Sequence, residues 1–138
     1  MKNQYFGDIN DYKKYGILRT LAEGGSRKIA LCWMLTGDDG RTDGRFTAYL
    51  KQPHRWRSFD PELFDSLRNL VLNEGRRRIE LVSSARLIRG SVSFSNALSD
   101  TGRDLYFTKF RETAGNASLV FFCVWVVLFC RDFHNHWP

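Results

Sequence analysis

Cysteine is scarce in this chain. Its 138 residues carry three (Cys32, Cys123 and Cys130), an odd number with no Cys-x-x-Cys pair. That fits a reducing cytoplasm better than a disulfide framework. The opening MKNQYFGDIND has no apolar core segment, so no signal peptide is expected. Internal repeats, low-complexity stretches and clear linkers are also absent, which leaves one domain of ordinary size. The chain lacks a dinucleotide fingerprint, a phosphate-cradling loop, an EF-hand and any legible Ser/His/Asp or Cys/His arrangement. Long apolar runs are missing too, with one exception at residues 119–130 (LVFFCVWVVLFC). Twelve residues rise about 18 Å as a helix, against a bilayer core of about 30 Å, so no integral membrane span is expected. As a strand the run would reach about 40 Å, longer than most strands in sheets.

What the chain has is aromatic and basic. Aromatic residues make up 14% of it, enough to expect a Phe-rich core. Lys and Arg (21) outnumber Asp and Glu (15), giving a net charge of +6. A basic balance favours polyanionic partners, and nucleic acid is the candidate. The charges are well mixed, which argues against disorder.

Helical and strand patterns alternate. Asp8 or Asn10 caps a first helix with the stripe Tyr12, Tyr15, Leu18 and Leu21, and Ile17 beside it; Gly24 and Gly25 end it. Residues 28–35 read as a buried parallel strand. A turn-rich loop with three carboxylates follows, then a short helix near 46–51, then a connection over 53–59. Asp60, Pro61 and Glu62 make a strong helix start, with Leu63, Leu67, Leu70 and Val71 on the buried side. Residues 78–83 read as the second strand and 84–101 are ambiguous. Asp100 or Thr101 opens a third helix carrying Leu105, Tyr106, Lys109 and Phe110 and closing at Gly115. Residues 118–122 are the third strand. This order predicts an α/β fold: a three-layer Rossmann-like parallel sheet, incomplete at three strands, whose exposed third-strand edge invites self-association.

Four groups of residues carry candidate chemistry. Asp38, Asp39 and Asp43, among Gly37, Gly40 and Gly44, stand at the carboxyl end of the first strand. There glycines let a cofactor approach, and carboxylates hold a ribose or a divalent ion; the alternative is a solvated turn. Asp8, Asp11, Lys14 and Tyr15 share a helix face, where two carboxylates and a lysine can hold a metal and a phosphate; the alternative is capping with an ordinary ion pair. Cys130, Asp132, His134 and His136 are zinc-ligand types at a chain end. His54, Arg55, Trp56 and Arg57 interleave cations with an aromatic, a pattern that grips a nucleic-acid strand, and Arg76, Arg77 and Arg78 form the densest basic cluster. Cys32, inside the first strand, reads as inert packing.

The block from Asn3 to Arg19, NQYFGDINDYKKYGILR, resembles the opening of an uncharacterised bacterial and phage protein family. Trp33-Met34-Leu35-Thr36 with Asp38-Asp39-Gly40, and Asp104-Leu105-Tyr106-Phe107, are similar to it as well, over about residues 1–122. The family's layout resembles methyltransferase-like Rossmann enzymes, including the three-Cys-motif partner proteins. The resemblance implies a protein carried by mobile elements that acts on or with nucleic acid, as a methyltransferase-like or nuclease-like enzyme. S-adenosylmethionine or a divalent metal is its implied cofactor. Asp38, Asp39 and Gly40 are then the cofactor-binding candidates, and Asp11 and Lys14 the catalytic ones. In that family the third strand continues into an acidic Asp-Pro-Asp-Asn-Gly turn. Here Cys-Val-Trp-Val-Val-Leu stands instead. The expectation is a truncated or frameshifted member, a Rossmann-like domain over 1–122 with an atypical tail over 123–138, and weak or no activity. The other reading is a non-enzymatic binder of nucleic acid or a partner, through Arg55, Arg57 and Arg76, Arg77 and Arg78.

Overall fold

A computed structural model describes residues 1–41, 44–99, 101–123 and 126–130. The N-terminal block opens with a 3-10 turn, Asn3–Tyr5, and passes through Gly7 into helix α1, Ile9–Leu21. Strand β1, Ile29–Cys32, follows. A 3-10 turn at Ala48–Lys51, the short helix α2 (Pro53–Trp56) and another 3-10 turn at Arg57–Phe59 lead to α3, Pro61–Arg68, which continues as a wider helical turn, Asn69–Asn73. Then come α4 (Leu81–Ser84), β2 (Ser91–Phe94), α5 (Arg103–Ala114), β3 (Leu119–Cys123) and β4 (Val126–Cys130).

The fold is α/β with a small parallel sheet. The strand order is β2-β1-β3-β4. The first three strands are parallel, with Cys32 level with Phe94 on one side and Phe122 on the other; β4 is antiparallel to β3. The third strand is therefore not an edge. Among the described strands the edges are β2 and β4.

Alternation along β1 builds two cores. Ile29, Leu31 and Trp33 face α1 and α3, where Tyr15, Leu18, Leu63, Phe64 and Leu67 meet them. Ala30 and Cys32 face α5 and pack with Phe94, Tyr106 and Phe110. Every residue of β1 is fully buried, as expected of a strand covered on both faces. The Cys32 thiol lies 3.5 Å from the Tyr106 hydroxyl, and burial pushes its pKa up, consistent with packing.

The expected starts of α1 and α3 are observed. Asp60 Oδ1 accepts the Leu63 N–H at 3.0 Å, with Pro61 next to it at the first helical position. Four local expectations are corrected. Residues 78–83 are a turn leading into α4, because Ile79 and Val82, three apart, turn the same way into the core. The second strand is instead β2, inside the ambiguous stretch. Residues 53–59 are helical turns rather than a plain connection. Ile17 and Leu105, 61% and 59% exposed, point outward, away from the buried stripes of α1 and α5. Helix α5 is capped by Gly102, not Thr101; Asp100 lies outside the described residues. Among the described residues no helix is long and apolar enough to cross a membrane.

Candidate functional site

The N-terminal block owes its shape to one turn. Gly7 adopts φ +76°, and a Cβ there would meet Val71 Cγ2 at 2.6 Å. The turn aims the Gly7 N–H at Asp11 Oδ2 (3.2 Å) and its carbonyl at the Tyr49 hydroxyl (3.2 Å). Asp8 then caps α1, its Oδ1 accepting the N–H groups of Asn10 (2.8 Å) and Asp11 (3.0 Å). Arg77 secures the turn from outside by donating to the carbonyl oxygens of Phe6 and Gly44. Asn3 Oδ1 accepts the Ile79 N–H at 2.9 Å.

Asp8 and Asp11 are 4% and 2% exposed, the buried charges among the described residues. Asp11 holds three donors. Its Oδ2 takes Gly7 N–H and the Tyr15 hydroxyl (2.9 Å), and its Oδ1 takes Lys14 Nζ (2.7 Å). Lys14 also lies 3.4 Å from Cys123 Sγ, which in turn sits 3.4 Å from Met1 Sδ. Burial works against the Lys14 ammonium, but the Asp11 carboxylate and then Cys123 outweigh it, and its pKa is raised. Burial, then Asp11, pushes the Tyr15 phenol far up. Burial also raises the Asp8 carboxyl and the Cys123 thiol, the latter opposed by Lys14. At neutral pH the cluster therefore offers a fixed cation and a neutral phenol.

Cys123 ends β3, so this cluster lies at the carboxyl end of the sheet. The loop after β1 lies there as well. Asp39 pairs with Lys2, which holds its carboxyl down to about 2, and with Arg41; Asp38 Oδ1 accepts the Gln4 N–H at 3.3 Å. Met1 links the two groups: its amine donates to Met34 O, and its carbonyl accepts the Thr36 N–H, both at 2.8 Å. Asp38 and Asp39 do not bond to Asp11 or Lys14 directly; residues 1–4 join them. Gly40 has φ +71° and open space where a Cβ would stand. Asp43, Asp132, His134 and His136 lie outside the described residues.

No protein-family model, curated protein or solved structure matches this chain.

The expected nucleic-acid residues are scattered and mostly engaged. Arg57 makes a bidentate pair with Asp65 (2.8 Å), Arg76 pairs with Glu74 (3.1 Å) and Arg78 with Glu80 (3.6 Å). Arg77 is a structural anchor, as above. Arg55 is exposed and lies 5.4 Å over the Trp56 ring. A shallow hollow lined by Arg19, Gly24, Gly25, Glu62 and Arg89 sits near the amino ends of β1 and β2. Its guanidiniums are bound to Asp60, Glu62 and the Leu87 carbonyl, so it offers no ready cation.

Three residues take a place at the site that their sequence context does not signal. Cys123 falls in the stretch expected to be tail, and only its place at the end of β3 puts it beside Lys14. Arg77 and Asn3 act through contacts 71 and 76 residues away, for which the chain carries no local signal.

Proposed function

We propose that this chain is a Rossmann-like α/β domain of methyltransferase-like or nuclease-like kind that acts on nucleic acid, with its working site at the carboxyl ends of β1 and β3. The chain goes from β1 to β2 on one side and returns to β3 on the other, and open α/β sheets bind ligands where the strand order reverses in this way. The observation that carries the reading is the ion pair there, between the buried Asp11 and the half-buried Lys14. An apolar pair of similar size would usually be at least as stable, so Lys14 and Asp11 are poorly explained by stability alone.

The chemistry open to these residues is narrow. Asp11, buried and engaged by three donors, positions Lys14. Lys14, held protonated, attracts a phosphate or steadies a developing negative charge. A divalent metal does not fit what is described: among the described residues no three of His, Cys, Asp and Glu converge. A nucleoside fits better. Asp38 is exposed and the space beside Gly40 is open, so these residues and Asp39 would hold the ribose of S-adenosylmethionine, with Lys2 giving up Asp39. That cofactor supplies a methyl group; the chain's own residues bind and orient.

The test is a thermal melt of the full chain with S-adenosylmethionine, and separately with Mg²⁺ or Mn²⁺. At a hundredfold excess over Kd a ligand adds about 2.7 kcal/mol, or a rise of at least about 5 °C. The expected result is such a rise with S-adenosylmethionine, reduced in Asp38→Ala. An unchanged Tm with every ligand rejects the enzyme reading.

A further inference from the structure

The fifteen residues 45–59 contain Arg45, Lys51, Arg55 and Arg57 and no Asp or Glu. They fold as three successive helical turns, Ala48–Lys51, Pro53–Trp56 and Arg57–Phe59. Tyr49 and Leu50 are buried beneath, while Lys51, His54, Arg55 and Phe59 are exposed. Phe59 is 75% exposed. A large apolar residue just before a helix cap ordinarily folds down onto the helix's fourth residue. Phe59 stays out in solvent instead, its ring 6.1 Å from that of Trp56.

Trp56 is held rigid from below. Its carbonyl accepts the Tyr12 hydroxyl at 2.9 Å, and Tyr49 meets its ring edge-on at 6.2 Å. Arg55 lies over it. We infer that this segment is a stacking platform for single-stranded nucleic acid: a base stacks on Phe59 beside the Trp56–Arg55 pair, and Lys51, His54 and Arg55 take the flanking phosphates. Exposed aromatic faces among cations suit unpaired bases on a polyanion, whose π-faces stack on rings while its phosphates meet the charges. An apolar protein partner would need a contiguous apolar patch, whereas Phe59 and the half-buried Trp56 stand in a segment whose exposed residues include His54, Arg55, Arg57 and Ser58. Arg57 is committed to Asp65 and shapes the turn rather than the contact.

This inference rests on the nucleic-acid part of the proposed function and adds the strandedness and the place of contact. The experiment is fluorescence anisotropy of labelled oligo-dT and oligo-U, with a duplex of equal length as control, at two salt concentrations. The full chain is compared with Phe59→Ala, Phe59→Trp and Arg55→Ala. The expected result is preference for single strands, and the tighter of the two oligomers tells DNA from RNA. Phe59→Ala weakens binding about five- to hundredfold with an unchanged salt slope, and Phe59→Trp restores it. Arg55→Ala lowers the slope by about 0.7. Wild-type affinity in Phe59→Ala, or equal affinity for duplex, overturns the platform and leaves the nucleic-acid reading standing. No binding by the wild type overturns both, while the S-adenosylmethionine melt still tests the α1 site. Unchanged melting of Phe59→Ala shows that the fold is intact, as its exposure leads one to expect.

Discussion

Asp8 and Asp11 stand three residues apart at the start of α1, both buried, and they are held differently. Asp11 meets an ammonium, a phenol and an amide. Asp8 meets two backbone N–H groups and has Asp11 as a like-charged neighbour. A helix N-terminus favours a carboxylate, yet burial prevails and the Asp8 pKa is raised above 3.8. The sign follows. A folded-state pKa above the unfolded value means that the native state holds the proton more tightly. This contribution to stability is full below the unfolded value and is lost as pH rises through the folded one. At pH 7 the charge on Asp8 is therefore a liability, while its two hydrogen bonds are an asset. Asp8→Asn keeps the acceptor and removes the charge, since Asn caps about as well as Asp. The expected urea midpoint at pH 7 is equal to or above that of the wild type, and the advantage disappears near pH 3. Asp8→Ala loses the cap and falls by about 1 kcal/mol. A clear drop for Asp8→Asn at pH 7 would show that the charge itself is needed.

At the level of elements, β2 depends on one backbone position. Gly90 has φ +73°, and its carbonyl accepts the Ile29 N–H at 3.0 Å, which starts the β1–β2 pairing. A Cβ there would stand 2.8 Å from Arg27 O and Gly25 Cα, both backbone atoms that cannot swing aside. Gly75 has a similar φ of +64° with open space around it. Gly75→Ala is therefore expected to lose about 1–2 kcal/mol from the left-handed conformation alone, and Gly90→Ala about 2–4 kcal/mol from strain and clash together. Equal urea midpoints for the two would mean that the β2 register adjusts freely. The same strand shows where the sequence stops being legible. Helices α1 and α3 announce themselves through caps and stripes, and β1 and β3 through apolar runs. Strand β2, Ser-Val-Ser-Phe at an edge, is half polar and looks like loop. Ile79, Leu81 and Val82, with Glu80 between them, attract the strand reading, because so short a mainly apolar segment does not distinguish strand from helix. The site divides the same way. Asp8, Asp11, Lys14 and Tyr15 are legible from helical spacing, whereas Cys123, Arg77 and Asn3 reach it only through tertiary structure.

Among the described residues the two cores lie on opposite faces of the sheet, and β1 belongs to both. That decides whether the chain unfolds as one unit. If the α5 face could melt alone, β1 would lose the cover over Ala30 and Cys32 while keeping that over Leu31 and Trp33, leaving a fully buried strand half exposed. Its backbone hydrogen bonds run to β2 and to β3, and Phe94 of β2 and Phe122 of β3 both pack on the α5 side. Losing α5 therefore loosens the partners of β1 on either side. Phe110 is the residue to remove. It is 3% exposed, and its ring lies 5.7 Å from Phe94 and 5.3 Å from Phe122. Phe110→Ala is expected to lose about 3–5 kcal/mol, a large fraction of a domain's total of roughly 5–15 kcal/mol. Native-state hydrogen exchange reads the outcome. In a cooperative molecule the slow amides of β1, and of α1 on the far side from the mutation, lose as much protection as those of α5. If α1 keeps wild-type protection while α5 alone opens, the two faces are separate units, and the carboxyl-end site on the α1 side can stay formed without α5.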